Sequence, residues 1–125
     1  MIVGIGIDIV EQQRIQQGIE KFQLRFIQKL FTDAEIAYCQ QYQFPIEHFA
    51  GKFAVKEAFM KAIGAGLGQQ IYFKDIAVLN HASGKPYIFP QNKAATLLSQ
   101  LNVSHTHISI SHTKTTAIGL VVLEK

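Results

Sequence analysis

The chain has 125 residues, 48% of them hydrophobic, which suits a single domain over residues 1–125 with one compact core. Its one cysteine, its interrupted apolar runs and its lack of a basic signal-peptide segment exclude a disulfide-stapled secreted domain and a transmembrane helix, so we expect a cytoplasmic protein without membrane contact. The formal charge of +3 favours acidic partners, but it does not distinguish nucleic acid, phosphorylated small molecules and acidic proteins.

The first predicted element is a strand over residues 2–10, where alternation puts isoleucines on one face and Gly4, Gly6 and Asp8 on the other. A predicted amphipathic helix follows from residue 11 to about residue 30. Its polar side is basic and carries Arg14, Lys21, Arg25 and Lys29. Next, Thr32 and Glu35 match a capping box, which predicts a short helix ending near residue 40.

A long helix is predicted from Pro45 to Ile63, where Gly64 stops it and opens a glycine-rich loop over 64–68. Phe49, Phe53, Met60 and Ile63 form its expected core stripe. The remaining segments are, in order, a strand over 71–79, a turn over 80–85, a strand over 86–89, a helix over about 90–101, and strands over 105–112 and 116–123 joined by a hairpin at 113–115. This order predicts an α+β domain with a mostly antiparallel sheet and a long central helix.

Asp8 is the first candidate for chemistry, because the glycines beside it let a ligand or another backbone approach closely. The alternative is a strand-end aspartate that hydrogen-bonds a loop. The glycines do not form a dinucleotide fingerprint, since Ile9 occupies the third glycine position and no βαβ unit follows.

Glu57 and Lys61 lie one turn apart on a helix face that also carries small residues. The alternative is a solvated ion pair, which stabilises a helix by only about 0.3–0.5 kcal/mol. Lys52 and Lys56 add positive charge nearby, and the amides of the loop over 64–68 could receive phosphate. Carboxylates, lysines and free amides together suit Mg²⁺-assisted attack at a phosphoryl centre.

A polar strand face is the third candidate and consists of His105, His107, Ser109 and Ser111, with Ile108, Ile110 and His112 on the opposite face. The two histidines could bind zinc, but the sequence shows no third ligand. The polar face could instead bind a phosphate, or it could be the solvated face of an edge strand.

Five segments of the chain match one known family: Gly4–Glu11, Phe31–Glu35, Phe49–Gly64, Gly84–Pro86 and His107–His112. Together they resemble the holo-acyl-carrier-protein synthases, the small single-domain class of 4′-phosphopantetheinyl transferases. The combination of the Gly-x-Asp strand with the Lys-Glu-Ala-x-x-Lys-Ala helix is the most specific part. The resemblance implies the 4′-phosphopantetheinyl transferase fold and runs nearly end to end.

The resemblance also implies an activity, the transfer of 4′-phosphopantetheine from coenzyme A to a serine of apo-acyl carrier protein, in support of fatty acid biosynthesis. It implies that Asp8 and Glu57 bind Mg²⁺ together with the coenzyme A pyrophosphate. Lys61 would neutralise phosphate oxygens and assist the departure of adenosine 3′,5′-bisphosphate. The proton acceptor stays open between a metal-bound water and a carboxylate such as Glu57, and Mg²⁺ and Mn²⁺ are both compatible with these ligands.

Further site residues follow from the same resemblance. Lys52 and His107 match positions that hold the adenosine 3′-phosphate, and Gly64 matches a loop contact to the cofactor. A homotrimer is implied, with active sites in clefts between neighbouring subunits. The basic helix around Arg14, Lys21 and Arg25 would dock the acidic carrier protein. A positive helix face is independently suited to steering an acidic partner, and the alternative is a solvated face.

Two rival functions come from other classes of protein. The first is a non-catalytic module that binds an acidic protein through the basic helix. The second is nucleic-acid binding, which only the basic charge suggests and which lacks a recognisable binding motif.

Overall fold

The computed structural model describes residues 1–64 and 71–125. In chain order its helices and strands are β1 Ile2–Glu11, α1 Gln12–Phe22, α2 Leu24–Leu30, α3 Asp33–Gln40, α4 Pro45–Ala62, β2 Ile76–Asn80, β3 Pro86–Pro90, α5 Asn92–Gln100, β4 His105–His112 and β5 Thr116–Glu124. Strand β4 has its predicted bounds, and α4 begins at Pro45 and ends before Gly64 as predicted. Gly64 has a φ of 68°, but the rest of the predicted glycine-rich loop lies outside the described residues.

The strands form two antiparallel sheets. One has three strands in the order β1-β5-β4, and the other is the β2-β3 pair. Helix α4 packs along one face of the three-stranded sheet, where it contacts β1, β5 and β4. The predicted α+β class, with a mostly antiparallel sheet and a long central helix, is confirmed.

Glycines on the sheet let α4 approach it backbone to backbone. A Cβ added at any of three glycines would overlap the backbone of an alanine on α4: Gly4 with Ala62, Gly6 with Ala58, and Gly119 with Ala54. All three alanines are buried. Because neither surface has a bulky side chain here, the helix lies closer to the sheet than larger residues would allow.

Two hydrophobic clusters flank this contact. Phe49 and Phe53 of α4 pack in one cluster with α1, α2 and α3, while Phe59 packs in the other with β2, β3, α5 and β5. Met60 and Ile63, the other two members of the predicted stripe, are partly buried against the second cluster. Burial on both sides fixes the rotation of α4 about its own axis.

The single helix predicted over about 11–30 is wrong. Gln23 has a φ of 55°, in the left-handed region, and its N–H donates to the carbonyl of Ile19, which ends α1. The chain then turns so that the ring of Phe26 lies where a Cβ on Gly18 would be. The packing of Phe26 on Gly18 therefore requires a break that the helical periodicity does not reveal.

The strand predicted over 71–79 begins later, at Ile76, after a short 3₁₀ turn at Phe73–Asp75. The buried Asp75 carboxylate stabilises this turn, because it accepts hydrogen bonds from the backbone N–H of Tyr72 and from Asn92 Nδ2. A side chain that bonds to its own neighbouring backbone competes with strand formation.

Gly6→Ala should test the close contact. We expect the free energy of unfolding to fall by about 2 kcal/mol or more, because the added methyl must push α4 away from β1. Urea unfolding followed by circular dichroism measures the change. Glu11→Gln, at the exposed end of the same strand, is the control and should cost less than about 0.5 kcal/mol. An equal effect of both substitutions would contradict the contact.

Candidate active site

Asp8 and Lys61 meet at the edge of the three-stranded sheet. Lys61 Nζ donates hydrogen bonds of 3.0 Å to Asp8 Oδ1 and 3.0 Å to the carbonyl oxygen of Ile7. The Asp8 side chain is 13% exposed, whereas that of Lys61 is 56% exposed. The ammonium therefore bridges β1 and α4 while most of its lysine side chain still faces solvent.

Glu57 completes a group of charges with these two residues. Burial raises the pKa of Glu57, and the negative charge of Asp8 raises it further, while the charges of Arg14 and Lys61 act in the opposite direction. The Glu57 carboxylate is thus close enough to Asp8 for the two anions to repel each other. Such a pair favours a bound cation.

The donor set fits a magnesium ion. Magnesium usually binds one or two protein carboxylates and completes its coordination with water and substrate phosphates. Among residues 1–64 and 71–125, no three His, Cys, Asp or Glu side chains are grouped closely enough to bind a metal by themselves. Asp8 and Glu57 would therefore provide two ligands, and phosphate oxygens and water would provide the others.

A cavity of about 500 Å³ adjoins Glu57, between α4 and the helices α1 and α2. Its floor is apolar and includes Phe26, Phe53 and Phe73, while its rim is basic and carries Arg14, Arg25 and Lys29. The Arg14 guanidinium lies 5.6 Å from the centroid of the Phe53 ring. Two of the three predicted docking residues, Arg14 and Arg25, thus line the same cavity as Glu57. Lys21 lies over the exposed ring of Phe22, 5.3 Å from its centroid.

Lys52 lies on the other flank of α4 and is only 3% exposed. Its Nζ donates to the carbonyl oxygen of Val78 and to Asn80 Oδ1, both at 2.6 Å, and burial lowers its pKa. It lines a second cavity of about 380 Å³. Two of the three protons of the ammonium are used by these bonds, which leaves one for a ligand in the cavity.

His107 does not meet Lys52. In the sheet register it lies in one row with Val122 and Ile5, on the face opposite to α4, and its Nε2 is 2.9 Å from Glu124 Oε1. Of the histidines on β4, His112 lines the second cavity, together with His48, Lys85 and Lys52. Strand alternation already placed His112 and His107 on different faces of β4, so this signal was present in the sequence. A role of His107 in phosphate binding stays a prediction.

Lys56 does not place its charge on the helix surface beside Glu57 and Lys61 as expected. It is completely buried, and its Nζ lies 2.9 Å from Oε1 of Glu35, which is also completely buried. The capping-box pattern predicted the bonds between Glu35 and Thr32, and the structure confirms them. Nothing in the local pattern links position 35 with position 56.

The burial of Glu57, together with the repulsion from Asp8, predicts a pH-dependent effect of Glu57→Gln in metal-free protein. The pKa of Glu57 is higher in the folded state than in the unfolded state, so ionised Glu57 destabilises the fold at neutral pH. We expect Glu57→Gln to raise Tm at pH 7 in the presence of a chelator. The gain should shrink as the pH falls and vanish below about pH 4, where both states are protonated.

Thermal unfolding followed by circular dichroism at several pH values measures this effect. The exposed Glu20, changed to glutamine, is the matched control and should alter Tm little at any pH. A lower Tm for Glu57→Gln at pH 7 would show that the carboxylate stabilises the metal-free fold.

Residues 4–121 match the family model of the 4′-phosphopantetheinyl transferase superfamily. The holo-[acyl-carrier-protein] synthase of Halothermothrix orenii is 44% identical over 125 residues, covering 100% of this chain and 99% of that protein. The crystal structure of the Neisseria meningitidis holo-[acyl-carrier-protein] synthase superposes with a TM-score of 0.90 at 35% identity and covers 100% of both chains.

A third similar protein carries a ligand. The Helicobacter pylori holo-[acyl-carrier-protein] synthase, in complex with coenzyme A, has a TM-score of 0.83 and 32% identity, covering 96% of this chain and 99% of that one. The family match and the identity over the whole chain lead to one assignment. The chain belongs to the 4′-phosphopantetheinyl transferase superfamily and, within it, to the holo-[acyl-carrier-protein] synthases.

Proposed function

We propose that this protein transfers the 4′-phosphopantetheine group of coenzyme A to a serine of an apo-acyl carrier protein. The products are holo-acyl carrier protein and adenosine 3′,5′-bisphosphate, and the reaction supports fatty acid biosynthesis. The observation that carries the proposal is the group of Asp8, Glu57 and Lys61 beside a cavity with an apolar floor and a basic rim. The names of the relatives and the coenzyme A bound to the Helicobacter pylori protein support it.

In the proposed reaction, the hydroxyl oxygen of the carrier serine attacks the β-phosphorus of coenzyme A. A new bond forms between the serine oxygen and this phosphorus, and the bond from it to the bridging pyrophosphate oxygen breaks. The bridging oxygen leaves with adenosine 3′,5′-bisphosphate, and the serine proton passes to a base. A metal-bound water and Glu57 both stay candidates for that base.

Asp8 and Glu57 are the proposed Mg²⁺ ligands. A magnesium ion bound there would offset the repulsion between the two carboxylates and stabilise negative charge on the pyrophosphate. Lys61 would add a second positive charge, since its largely exposed ammonium is held at this edge by Asp8 and by the carbonyl of Ile7. Lys61 thus orients toward phosphate oxygens and favours departure of the leaving group.

The basic rim of the larger cavity is the proposed docking surface for the carrier protein. Arg14 and Arg25 lie on it, and Lys21 extends the positive charge along α1. The apolar floor beneath the rim suits the uncharged part of the phosphopantetheine arm. An acidic partner docked on the rim would bring its serine toward Glu57.

The smaller cavity is the proposed site for the nucleotide end of coenzyme A. Lys52, Lys85, His48 and His112 line it, and cationic or imidazole donors of this kind bind phosphate. The cofactor contacts predicted for Gly64 and His107 stay proposals. Gly64 lies just beyond Ala62, the last residue of α4, and His107 faces away from this cavity.

The two half-sites lie at opposite edges of the sheet. Asp8 belongs to β1, whereas His112 belongs to β4, and β5 lies between these two strands. A cyclic arrangement in which the β1 edge of one copy meets the β4 edge of the next would join them. This supports the homotrimer with active sites between neighbouring subunits that we proposed from the sequence.

The outer face of the sheet supports the same assembly. Ile5, Ile7 and Ile9 are 62%, 58% and 65% exposed there, and Ile118 and the half-buried Leu120 continue the apolar surface on β5. An apolar strip of this kind on a sheet face is typical of a protein interface. A trimer that packs three such faces around one axis would remove them from water.

The cytoplasmic location stays a proposal. In the part of the chain that the structure describes, none of the helices combines the length and the hydropathy needed to cross a bilayer.

The transfer reaction is tested by incubating the protein with apo-acyl carrier protein, Mg²⁺ and coenzyme A, and by measuring the added phosphopantetheine mass. Asp8→Ala and Glu57→Ala should each lower kcat/KM by about 100-fold or more, because each removes a metal ligand worth several kcal/mol in the transition state. Asp33→Asn removes an exposed carboxylate on α3 and should retain wild-type activity. Near-normal transfer by either alanine variant at limiting Mg²⁺ would rule out the metal assignment.

The assembly is tested by Ile7→Lys. A lysine in the middle of the apolar strip would leave a charge buried between copies, so we expect the trimer to dissociate and transfer activity to fall with it. Analytical ultracentrifugation measures the mass in solution. Thr96→Lys on the exposed side of α5 is the control and should leave the trimer intact. A wild-type protein that sediments as a monomer would refute the assembly.

A further inference from the structure

Glu35 and Lys56 form an ion pair that is completely removed from solvent. Both side chains are 0% exposed, and the distance from Lys56 Nζ to Glu35 Oε1 is 2.9 Å. The cost of removing two charges from water offsets most of their attraction, so such a pair contributes little net stability compared with apolar residues of the same volume. The pair restricts geometry more than it adds stability. If the two side chains moved apart, each would be an unpaired charge in the interior, which is strongly unfavourable.

Four hydrogen bonds extend from this pair to the surrounding backbone. Besides Glu35, Lys56 Nζ donates to the carbonyl oxygens of Phe73 at 2.9 Å and Ile76 at 2.8 Å. Glu35 accepts from the backbone N–H of Thr32 at 2.8 Å and from that of Val78 at 2.9 Å. Helix α3, helix α4 and the segment entering β2 are thereby locked to one another.

Two of the residues bonded in this way are neighbours of Glu57, one along the chain and one across the larger cavity. Lys56 directly precedes Glu57 on α4. Phe73 packs against Phe53 with a centroid distance of 5.3 Å, and both rings line the larger cavity together with Glu57. Glu35 and Lys56 are not among the described residues that line either cavity, so they act on the site through their neighbours.

The charges at the site oppose this arrangement. Asp8 on β1 and Glu57 on α4 repel each other, and a helix free to shift would relieve the repulsion by carrying Glu57 away. The close glycine contact limits how far α4 can tilt, and burial in the two hydrophobic clusters fixes its rotation, but sliding of the helix along its axis needs a separate restraint. The bonds from Lys56 to the carbonyls of Phe73 and Ile76 supply one.

We propose that Glu35 and Lys56 are positioning residues. They hold Glu57 beside Asp8, and they hold Phe73 in the wall of the larger cavity. The proposal rests on the function proposed above. The pair touches no substrate. Its removal therefore changes the geometry of the metal site without removing a group that takes part in the reaction.

The test is the double variant Glu35→Gln with Lys56→Met, which removes both charges and keeps both side-chain volumes. Removing both partners avoids the isolated buried charge that either single change would leave. Mn²⁺ serves as the probe, since carboxylate oxygens accept it and its free form is quantified by electron paramagnetic resonance. The titration is done with saturating coenzyme A, and transfer activity is measured in parallel.

We expect the folded double variant to bind Mn²⁺ about tenfold more weakly than the wild type, in the range typical for loss of residues that orient metal ligands. Higher metal concentration should restore most of its transfer activity. Leu98→Ala, a cavity-forming change in the second hydrophobic cluster, is the stability control and should leave Mn²⁺ affinity unchanged.

A folded double variant with wild-type Mn²⁺ affinity would overturn the proposal. If the double variant does not fold, Glu35→Asp takes its place, because it keeps both charges and shifts the pair by one methylene. Wild-type affinity in Glu35→Asp would then overturn the proposal, and weakened affinity would support it. Failure of the wild type to transfer phosphopantetheine would refute the proposed function itself. If the wild type transfers the group and the variant keeps wild-type metal affinity, only the positioning role is refuted.

Discussion

The backbone contact between α4 and the three-stranded sheet is the constraint on which the rest of the structure depends. Gly6 and Gly119 lie against the backbone of the helix, so α4 is held at one height and along one line above β1 and β5. Residues on its two flanks then face opposite sheet edges. Glu57 and Lys61 reach the β1 edge, and Lys52 reaches the cavity at the β4 edge. One close contact between small residues thus separates the two half-sites.

The two carboxylates at the β1 edge, Asp8 and Glu57, must be held close together by the rest of the fold. Two carboxylates that repel each other give a metal site its affinity, but they also weaken the metal-free fold. Lys61 and Arg14 offset part of this repulsion. The remaining restraint comes from the interior, where the ion pair of Glu35 and Lys56 connects α3, α4 and the start of β2 without exposure to solvent. The carboxylate pair that would bind the metal therefore destabilises the metal-free fold, and buried contacts hold the pair in place.

The arrangement of polar and apolar surfaces explains how a chain of 125 residues handles a large substrate. One cavity is basic with an apolar floor, and the other is lined by lysine and histidine. They lie at opposite edges of the sheet, and the isoleucines of β1 leave its outer face apolar. In the proposed assembly each chain would present two halves of a binding site and a surface for neighbours, so assembly rather than a larger fold would complete the site.

The sequence by itself determined the features that depend on near neighbours along the chain. Strand alternation predicted β4, the capping box predicted the start of α3, and Pro45 with Gly64 predicted the ends of α4, because these patterns arise from hydrogen bonds and side-chain directions within a few residues. The residue types and spacing also indicated which of them could bind a metal and phosphate.

Only the tertiary structure decided how distant positions combine. The break at Gln23 follows from the packing of Phe26, the pairing of Glu35 with Lys56 joins two helices, and the sheet separates His107 from Lys52. The physical reason is that each of these outcomes depends on contacts between elements that local periodicity does not encode.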